Sequence, residues 1–316
     1  MSYDGKPFLS GHSPFAMLIF SSLGVILVGL LFQLIGLLLT TLFYDISAFE
    51  LLEITGEEEG KVIHAIKFLQ IIGALGTFVF SSLLISFFYT GSWLGYFKTG
   101  IPVHSAGVLL LILIMITALP FVNLLTDLNF RLEIPFEGAE RYLRQLEEQT
   151  QTLMMTLVSA DNIPALLVNL FMIAIIPAVG EELVFRGLIQ RHLTDLLRNG
   201  HVAIILASVI FSLAHFQFYS FLPRFFLGMI LGYAFYYGRS IWYPIIAHLV
   251  NNTLGVLFYY FYMGQETGES LEDIGTLDLM PVTALMSLVL VTVLMIIWIR
   301  SLKVSQSPQP GGHETN

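Results

Sequence analysis

Residues 163–190 read IPALLVNLFMIAIIPAVGEELVFRGLIQ. No charged side chain occurs from residue 163 to residue 180, and two glutamates and an arginine then follow within six positions. About 20 predominantly apolar residues in a helix are enough to cross the ~30 Å hydrocarbon core of a bilayer. The stretch therefore predicts a transmembrane helix with ionisable groups at the end of its apolar run.

The rest of the chain extends this prediction. Of its 316 residues, 56% are hydrophobic and 12% charged, and strand-type alternation of polar and apolar residues is absent. We predict an all-α polytopic integral membrane protein. Its eight transmembrane helices are expected near residues 14–43, 63–89, 105–125, 163–190, 202–219, 221–238, 241–262 and 279–299.

Polarity divides the predicted bundle into parts. Ionisable residues are nearly absent from the first three and the last predicted helices, whereas the fourth, fifth and seventh carry them. Function is therefore expected in the bundle of helices four to seven. The predicted parts are 1–13 (N-terminus), 14–162 (first three helices with acidic loops), 163–262 (catalytic bundle), 263–303 (acidic loop and last helix) and 304–316 (disordered tail).

A separate amphipathic segment is predicted near residues 135–158, where leucines and methionines alternate with charged residues and glutamine. Two interpretations carry equal weight. The segment is either an interfacial helix on the outer side of the membrane or a solvent-exposed helix without membrane contact.

Charge predicts the orientation of the chain. Basic residues prevail in the loops near residues 98, 191–198, 239 and 300–303, and acidic residues prevail in the other loops. Lysine and arginine near helix ends are retained on the cytoplasmic side, so both termini are predicted to be cytoplasmic. The net charge of −9 comes mostly from the outer loops and implies no nucleic-acid partner. Cysteine is absent, which excludes disulfides and a cysteine nucleophile.

Four ionisable residues inside predicted helices require an explanation: Glu181, Glu182, His215 and His248, with Asn252 beside the last. Ionisable groups within a bilayer are costly and mark functional sites. In a hairpin that turns near residue 199, Glu181 and His215 differ in depth by only roughly 3 Å at 1.5 Å per residue. We expect these residues, with His248 and Asn252, to share one depth in the cytoplasmic half and to reach water from the cytoplasm.

Helical spacing assigns their neighbours. Glu182 and Arg186 are four residues apart and are predicted to form an ion pair that anchors the helix. Glu181 is turned about 100° away and stays free to accept a proton. Phe211 lies one turn from His215 and could fix its ring. Each histidine taken alone is more often a hydrogen-bonded packing residue than a functional one, and only the set favours function. Arg224 is expected to extend to the membrane interface.

Three motifs now stand in order on three helices: EELVFR at 181–186, FSLAH at 211–215 and HLVNN at 248–252. With them the sequence resembles the CAAX prenyl endopeptidase type II family, whose bacterial branch includes CAAX proteases and bacteriocin-processing enzymes. The resemblance covers roughly residues 163–262. It implies a protein of the bacterial plasma membrane that hydrolyses a peptide bond in a membrane-associated protein or peptide.

The resemblance also implies roles for the motif residues. Glu181 would activate a water molecule, His215 would position it, and His248 and Asn252 would stabilise the oxyanion. Glu181, His215 and His248 also form a possible Zn²⁺ ligand set. Because no HExxH motif is present, we favour a mechanism without a metal cofactor.

Two other classes of function stay open. A proton- or cation-coupled transporter could use the same intramembrane residues, although paired broken helices in two related halves are not evident. A non-catalytic membrane scaffold or immunity protein of the same fold could bind peptides without cleaving them.

Overall fold

The computed structural model describes residue 9 and residues 11–51, 60–262 and 274–305. Within these ranges the regular secondary structure is helical and contains no strand. The predicted tail at 304–316 and parts of both acidic loops lie largely outside the described residues. The helices are α1 (Pro14–Tyr44), α2 (Gly60–Thr90), α3 (Ser105–Phe130), α4 (Glu137–Val158), α5 (Ile163–Leu197), α6 (Gly200–Leu213), α7 (Phe221–Gly238), α8 (Trp242–Tyr262) and α9 (Pro281–Ser305).

Six of these helices are long and apolar enough to cross a membrane: α1, α2, α3, α5, α7 with its preceding turn, and α9. The described chain is therefore a polytopic helical membrane protein, but eight spans are not shown. The segment predicted at 202–219 forms a helix of only 14 residues, α6. Helix α8 has 21 residues but is not among the six, and it contains two asparagines and a histidine.

Local sequence signals begin and end the helices around the candidate site. Asn162 precedes α5 and accepts a hydrogen bond from the backbone of Ala165, and Asn199 does the same for α6 with the backbone of His201 and Val202. Helices α5 and α7 each end at an arginine in the left-handed conformation, Arg198 and Arg239. These caps satisfy backbone groups that helix ends leave unpaired.

Three π-helical segments interrupt the long helices. One lies in α2 at Leu75–Phe80, and two lie in α5 at Leu170–Ile175 and Leu183–Gln190. Such segments often occur at functional sites because they turn side chains away from the ordinary helical register. The two in α5 flank the short α-helical turn that carries Glu181 and Glu182.

Helix α5 lies inside the bundle. A methyl group added at Gly180 would lie 2.5 Å from Cβ of Phe78 on α2, so these two helices are in close contact there. Arg186 and Gln190 donate to the backbone carbonyls of Gly228 and Gly232 on α7, each at 3.0 Å. Helix α1, in contrast, exposes a row of leucines that includes Leu27, Leu34 and Leu38. The polar turn of α5 is thus held inside, and α1 presents an apolar outer face.

Candidate active site

Glu182 is the centre of a buried polar network. Its side chain is fully buried, and Oε1 accepts hydrogen bonds from Nη1 of Arg186 and from Nδ1 of His248, each at 2.8 Å. The structure thus brings together Arg186 and Glu182, as helical spacing predicts. The bond to His248 was not predicted, because nothing in the spacing of either motif relates α5 to α8. Glu182 therefore orients a histidine as well as pairing with an arginine.

This contact fixes the protonation of one ring nitrogen of His248. A carboxylate held by a guanidinium can only accept, so Nδ1 of His248 carries the hydrogen. Nε2 then presents a lone pair in the neutral ring and an N–H in the imidazolium. The carboxylate of Glu182 stabilises the imidazolium by a charge-assisted hydrogen bond.

Glu181 lies on the other side of the ring. Its Oε2 is 4.0 Å from Nε2 of His248, and its side chain is 11% exposed, compared with 0% for Glu182. Two polar groups at that separation are well placed to be bridged by one water molecule. Of the two adjacent glutamates, Glu182 is fixed by direct hydrogen bonds, whereas Glu181 lies 4.0 Å from the nearest ring nitrogen of His248, too far for a direct hydrogen bond.

Phe211 stands between the two histidines. Its ring centroid is 5.1 Å from that of His215 and 6.1 Å from that of His248, and Cζ of Arg186 lies 4.7 Å from it. Nδ1 of His215 lies 2.9 Å from the carbonyl oxygen of Phe211 and donates to it, which leaves Nε2 as an acceptor. Phe211 thus separates the rings and fixes one of them.

Asn252 is held by the first π-helical segment of α5, Leu170–Ile175. Its Nδ2 donates to the carbonyl of Ile173 at 3.1 Å, and its Oδ1 accepts from Nδ2 of the adjacent Asn251. The amide orientation is therefore fixed, and one N–H of the Nδ2 group has no partner in these bonds. The contact places the amide beside Ile173 of α5, which precedes Glu181 in the chain.

Arg224 is a residue near the site whose contacts were not predicted. Its guanidinium donates to Oε1 of Gln217, and its Nη1 is buried without a hydrogen-bond partner among the described residues. Its extension to the membrane interface stays a prediction. Arg224 interacts electrostatically with Glu181 and with Glu147. The sequence position of Arg224, the fourth residue of α7, does not indicate an interaction with Glu181. That interaction depends on how α7 packs against α5.

The α6–α7 connection, which includes His215, contacts α4. Oε1 of Glu147 accepts from Oγ of Ser220 at 2.7 Å and from Nε2 of Gln217 at 3.2 Å. Helix α6 is about 21 Å long at 1.5 Å per residue, so His215 lies at the end of the bundle opposite Gly200. Access of water from the cytoplasm stays a prediction. The neighbouring element at the site is α4, the predicted outer helix.

The metal hypothesis can be compared with the donor positions. Among the residues that the structure describes, no three histidine, aspartate or glutamate side chains are grouped closely enough to hold a metal ion. Nδ1 of His248 is bonded to Glu182 and Nδ1 of His215 to a backbone carbonyl, so each ring keeps Nε2 as its possible metal ligand. Because the three side chains are not grouped closely enough for a three-ligand site in the described structure, no chemical step is derived through a metal.

Comparisons with known proteins show what this bundle is similar to. Residues 163–254 match the family described as Type II CAAX prenyl endopeptidase Rce1-like. Over 121 residues the chain is 34% identical to the membrane-embedded CAAX protease MroQ of Staphylococcus aureus (strain USA300). That similarity covers 36% of this chain and 46% of MroQ, so the chain spans about half of its curated relative. No solved structure matches the chain.

The matched segment contains the three motif regions and every residue of the Glu182 network, including Arg186 and His248. The part of the chain outside it, including α1 to α4 and α9, contributes packing and loops but none of these groups. Over the segment 163–254, the chain is therefore similar to the type II CAAX prenyl endopeptidases and to a CAAX protease of Staphylococcus aureus.

Proposed function

We propose that the chain is an intramembrane endopeptidase in which the carboxylate of Glu181 activates a water molecule for attack on a peptide carbonyl. One observation carries the proposal: Glu181 faces Nε2 of His248 at 4.0 Å while the adjacent Glu182 is bonded to Arg186 and His248. A general base must be near the proton that it removes and must not be neutralised by a permanent partner. Glu181 meets both conditions.

The reaction would proceed in two steps. Glu181 removes a proton from water as the water oxygen attacks the carbonyl carbon, and the carbonyl oxygen becomes an oxyanion. The tetrahedral intermediate then breaks its C–N bond, and the Glu181 carboxyl returns the proton to the leaving nitrogen. The free Nε2 lone pair of His215 accepts a hydrogen bond from the water and positions it.

The oxyanion would be stabilised by His248 and Asn252. Nε2–H of His248, when the ring carries both protons, and the remaining N–H of Asn252 are the donors assigned here, and Glu182 accepts from Nδ1 on the opposite side of the ring. Donors that are oriented before the reaction act strongly in a water-poor site. Removal of one such donor typically costs roughly a factor of 10²–10³ in kcat.

The substrate is proposed to be a membrane-associated protein or peptide. The relative MroQ is called a membrane-embedded protease, and the described helices of this chain are those of a membrane protein. In this proposal α6 and α8 complete an eight-helix arrangement in the bacterial plasma membrane with both termini cytoplasmic, and water reaches Glu181 from the α4 end.

A cleavage assay tests this function. The purified full-length protein, in proteoliposomes, is incubated with a library of membrane-spanning peptides, and the fragments are identified by mass spectrometry. We expect defined cleavage sites for the native protein, and loss of cleavage for Glu181→Gln and His215→Ala with unchanged melting temperatures. Cleavage that persists in Glu181→Gln would refute the assignment of the base.

Two further measurements distinguish this proposal from a metal-dependent protease and from a transporter. Cleavage in the presence of a chelator tests the metal-free mechanism, which predicts an unchanged cleavage rate after metal removal. A proton- or cation-flux measurement in the same vesicles tests the transporter hypothesis. Ion flux that requires Glu181, without cleavage of any library peptide, would replace the protease proposal.

A further inference from the structure

A polar cavity lies at the C-terminal end of α5, away from Glu181. It has a volume of about 670 Å³ and lies where the residues after Gln190 approach the ends of α7 and α9. Its charged lining residues are Lys98, Arg191, Arg239 and a single acid, Asp195. Three cations from three separate parts of the chain thus converge on one space, and none belongs to the proposed catalytic machinery.

The positive charge of this cavity is not neutralised within the described residues. None of the three cations forms an ion pair there, and Asp195 forms none either. Partial removal from water, followed by the nearby charges of Arg191 and Arg239, lowers the pKa of Lys98. Three cations beside one acid, Asp195, leave the cavity with a net positive charge, which favours an anionic ligand between them.

Arg191 differs from the other two cations because part of its role is structural. Its Cζ lies 3.9 Å from the centroid of the Tyr96 ring, and its guanidinium donates to the backbone carbonyl of the same residue. Lys98 and Arg239 are exposed, and Nζ of Lys98 lies over the ring of Phe235 at 5.8 Å. Lys98 and Arg239 can therefore be changed with little effect on packing.

The remaining wall of the cavity is apolar and aromatic. Phe235, Ile299 and Leu302 line it, and Tyr236 and Tyr237 lie at its edge. Tyrosines concentrate at the level of lipid headgroups, where one end of the ring is apolar and the other is hydrated. Cations beside an apolar wall suit a ligand that has both an anionic head and an apolar tail. A phosphate group would lie at the cations, and acyl chains would lie along Ile299 and Leu302.

We propose that this cavity binds the phosphate headgroup of an anionic phospholipid through Lys98, Arg191 and Arg239. Basic pockets between transmembrane helices bind anionic headgroups by the same electrostatic attraction. Free inorganic phosphate shares the recognised group, but it would make no use of the apolar wall.

The test is lipid retention by the full-length protein. The native protein and its variants are exchanged into mixed vesicles of phosphatidylglycerol and phosphatidylcholine, extracted gently, and analysed by native mass spectrometry for bound lipid. The test variant is Lys98→Gln combined with Arg239→Gln. The matched control is Arg198→Gln combined with Arg300→Gln, because it removes two exposed cations that do not line the cavity, and Arg198 is a left-handed helix cap like Arg239.

We expect the native protein and the control to retain phosphatidylglycerol in preference to phosphatidylcholine. The test variant should retain it roughly 10- to 30-fold less well, as expected when two cations near a phosphate are lost. An equal loss in the control would overturn the proposal, because general surface charge would then explain the binding. Displacement of the lipid by millimolar inorganic phosphate would overturn the assignment to a lipid.

Melting temperatures establish that each variant is folded, and Lys98→Gln alone replaces the double variant if Arg239→Gln prevents folding. The readout is independent of peptide cleavage. Failure of the lipid site therefore leaves the proposed protease function untouched, and failure of the protease function leaves the lipid site untouched.

Discussion

At the residue scale, Glu181 and Glu182 are chemically identical neighbours with different partners. Helical spacing predicted that Glu182 faces Arg186, because a contact between residues four apart depends only on local geometry. Spacing could not predict the bond between Glu182 and His248, which depends on how α8 packs against α5. The position of Arg224 beside Glu181 and Glu147 was missed for the same reason.

Arg224 gives a prediction at this scale. Arg224→Gln should lower kcat/KM for peptide cleavage by about tenfold or more, because charge-assisted hydrogen bonds contribute roughly 1.5–3 kcal/mol. The physical reason is the loss of a buried N–H donor and of a positive charge close to Glu181. Cleavage kinetics in proteoliposomes measure the change.

Arg224→Lys serves as the matched variant, since it keeps the charge and loses the planar donor group. We expect partial recovery of kcat/KM in this variant, with the same melting temperature as the native protein. An unchanged kcat/KM in Arg224→Gln would show that this residue only links α7 to Gln217.

At the element scale, the π-helical segments on both sides of Glu181 set the faces of α5. The sequence predicted one continuous helix because apolar periodicity does not distinguish an α-helical turn from a single wider turn. The ion pair between Glu182 and Arg186, predicted from regular α-helical spacing, nevertheless forms, although it spans the start of the second π-helical segment. The carbonyl of Ile173, in the first segment, holds Asn252.

The close approach of α5 to α2 gives a second prediction. Gly180→Ala should destabilise the protein by about 1–3 kcal/mol, as overpacking of a filled interior does, and should lower cleavage by displacing the adjacent Glu181. The added Cβ would lie 2.5 Å from Cβ of Phe78. Thermal unfolding in detergent and the cleavage rate are the two measurements.

Gly255→Ala is the control, because an added Cβ there meets no atom within 4 Å. It should leave both quantities unchanged. If Gly180→Ala behaved like this control, the contact between α2 and α5 would not position Glu181.

At the scale of the whole molecule, composition predicted a polytopic helical membrane protein, and the six apolar helices confirm this. The count of eight spans was not shown, because α6 is short and α8 carries polar residues. A hydropathy pattern records only whether a segment is apolar. It does not show that α6 has only 14 residues and is followed by a connection whose Gln217 and Ser220 bond to Glu147 of α4.

The absence of cysteine makes the orientation measurable with single cysteines. We expect Arg198→Cys, at the basic end of the bundle, to be protected from a membrane-impermeant thiol reagent in intact cells. Glu137→Cys, at the exposed start of α4, should be labelled. Lysed cells provide the control, because both positions should then react. The reverse pattern would invert the predicted topology, including the cytoplasmic termini.

The division of labour between the two glutamates is tested most directly by measuring cleavage rate and melting temperature together for Glu181→Gln and Glu182→Gln. We predict that Glu181→Gln abolishes cleavage and keeps or raises the melting temperature, because within the described residues the carboxylate makes no direct hydrogen bond and only faces Nε2 of His248 at 4.0 Å. Glu182→Gln should lower the melting temperature, because it leaves the buried guanidinium of Arg186 without its counter-charge, a loss of about 3–5 kcal/mol. Full cleavage by Glu181→Gln, or unfolding of Glu181→Gln with a stable Glu182→Gln, would contradict the proposed roles.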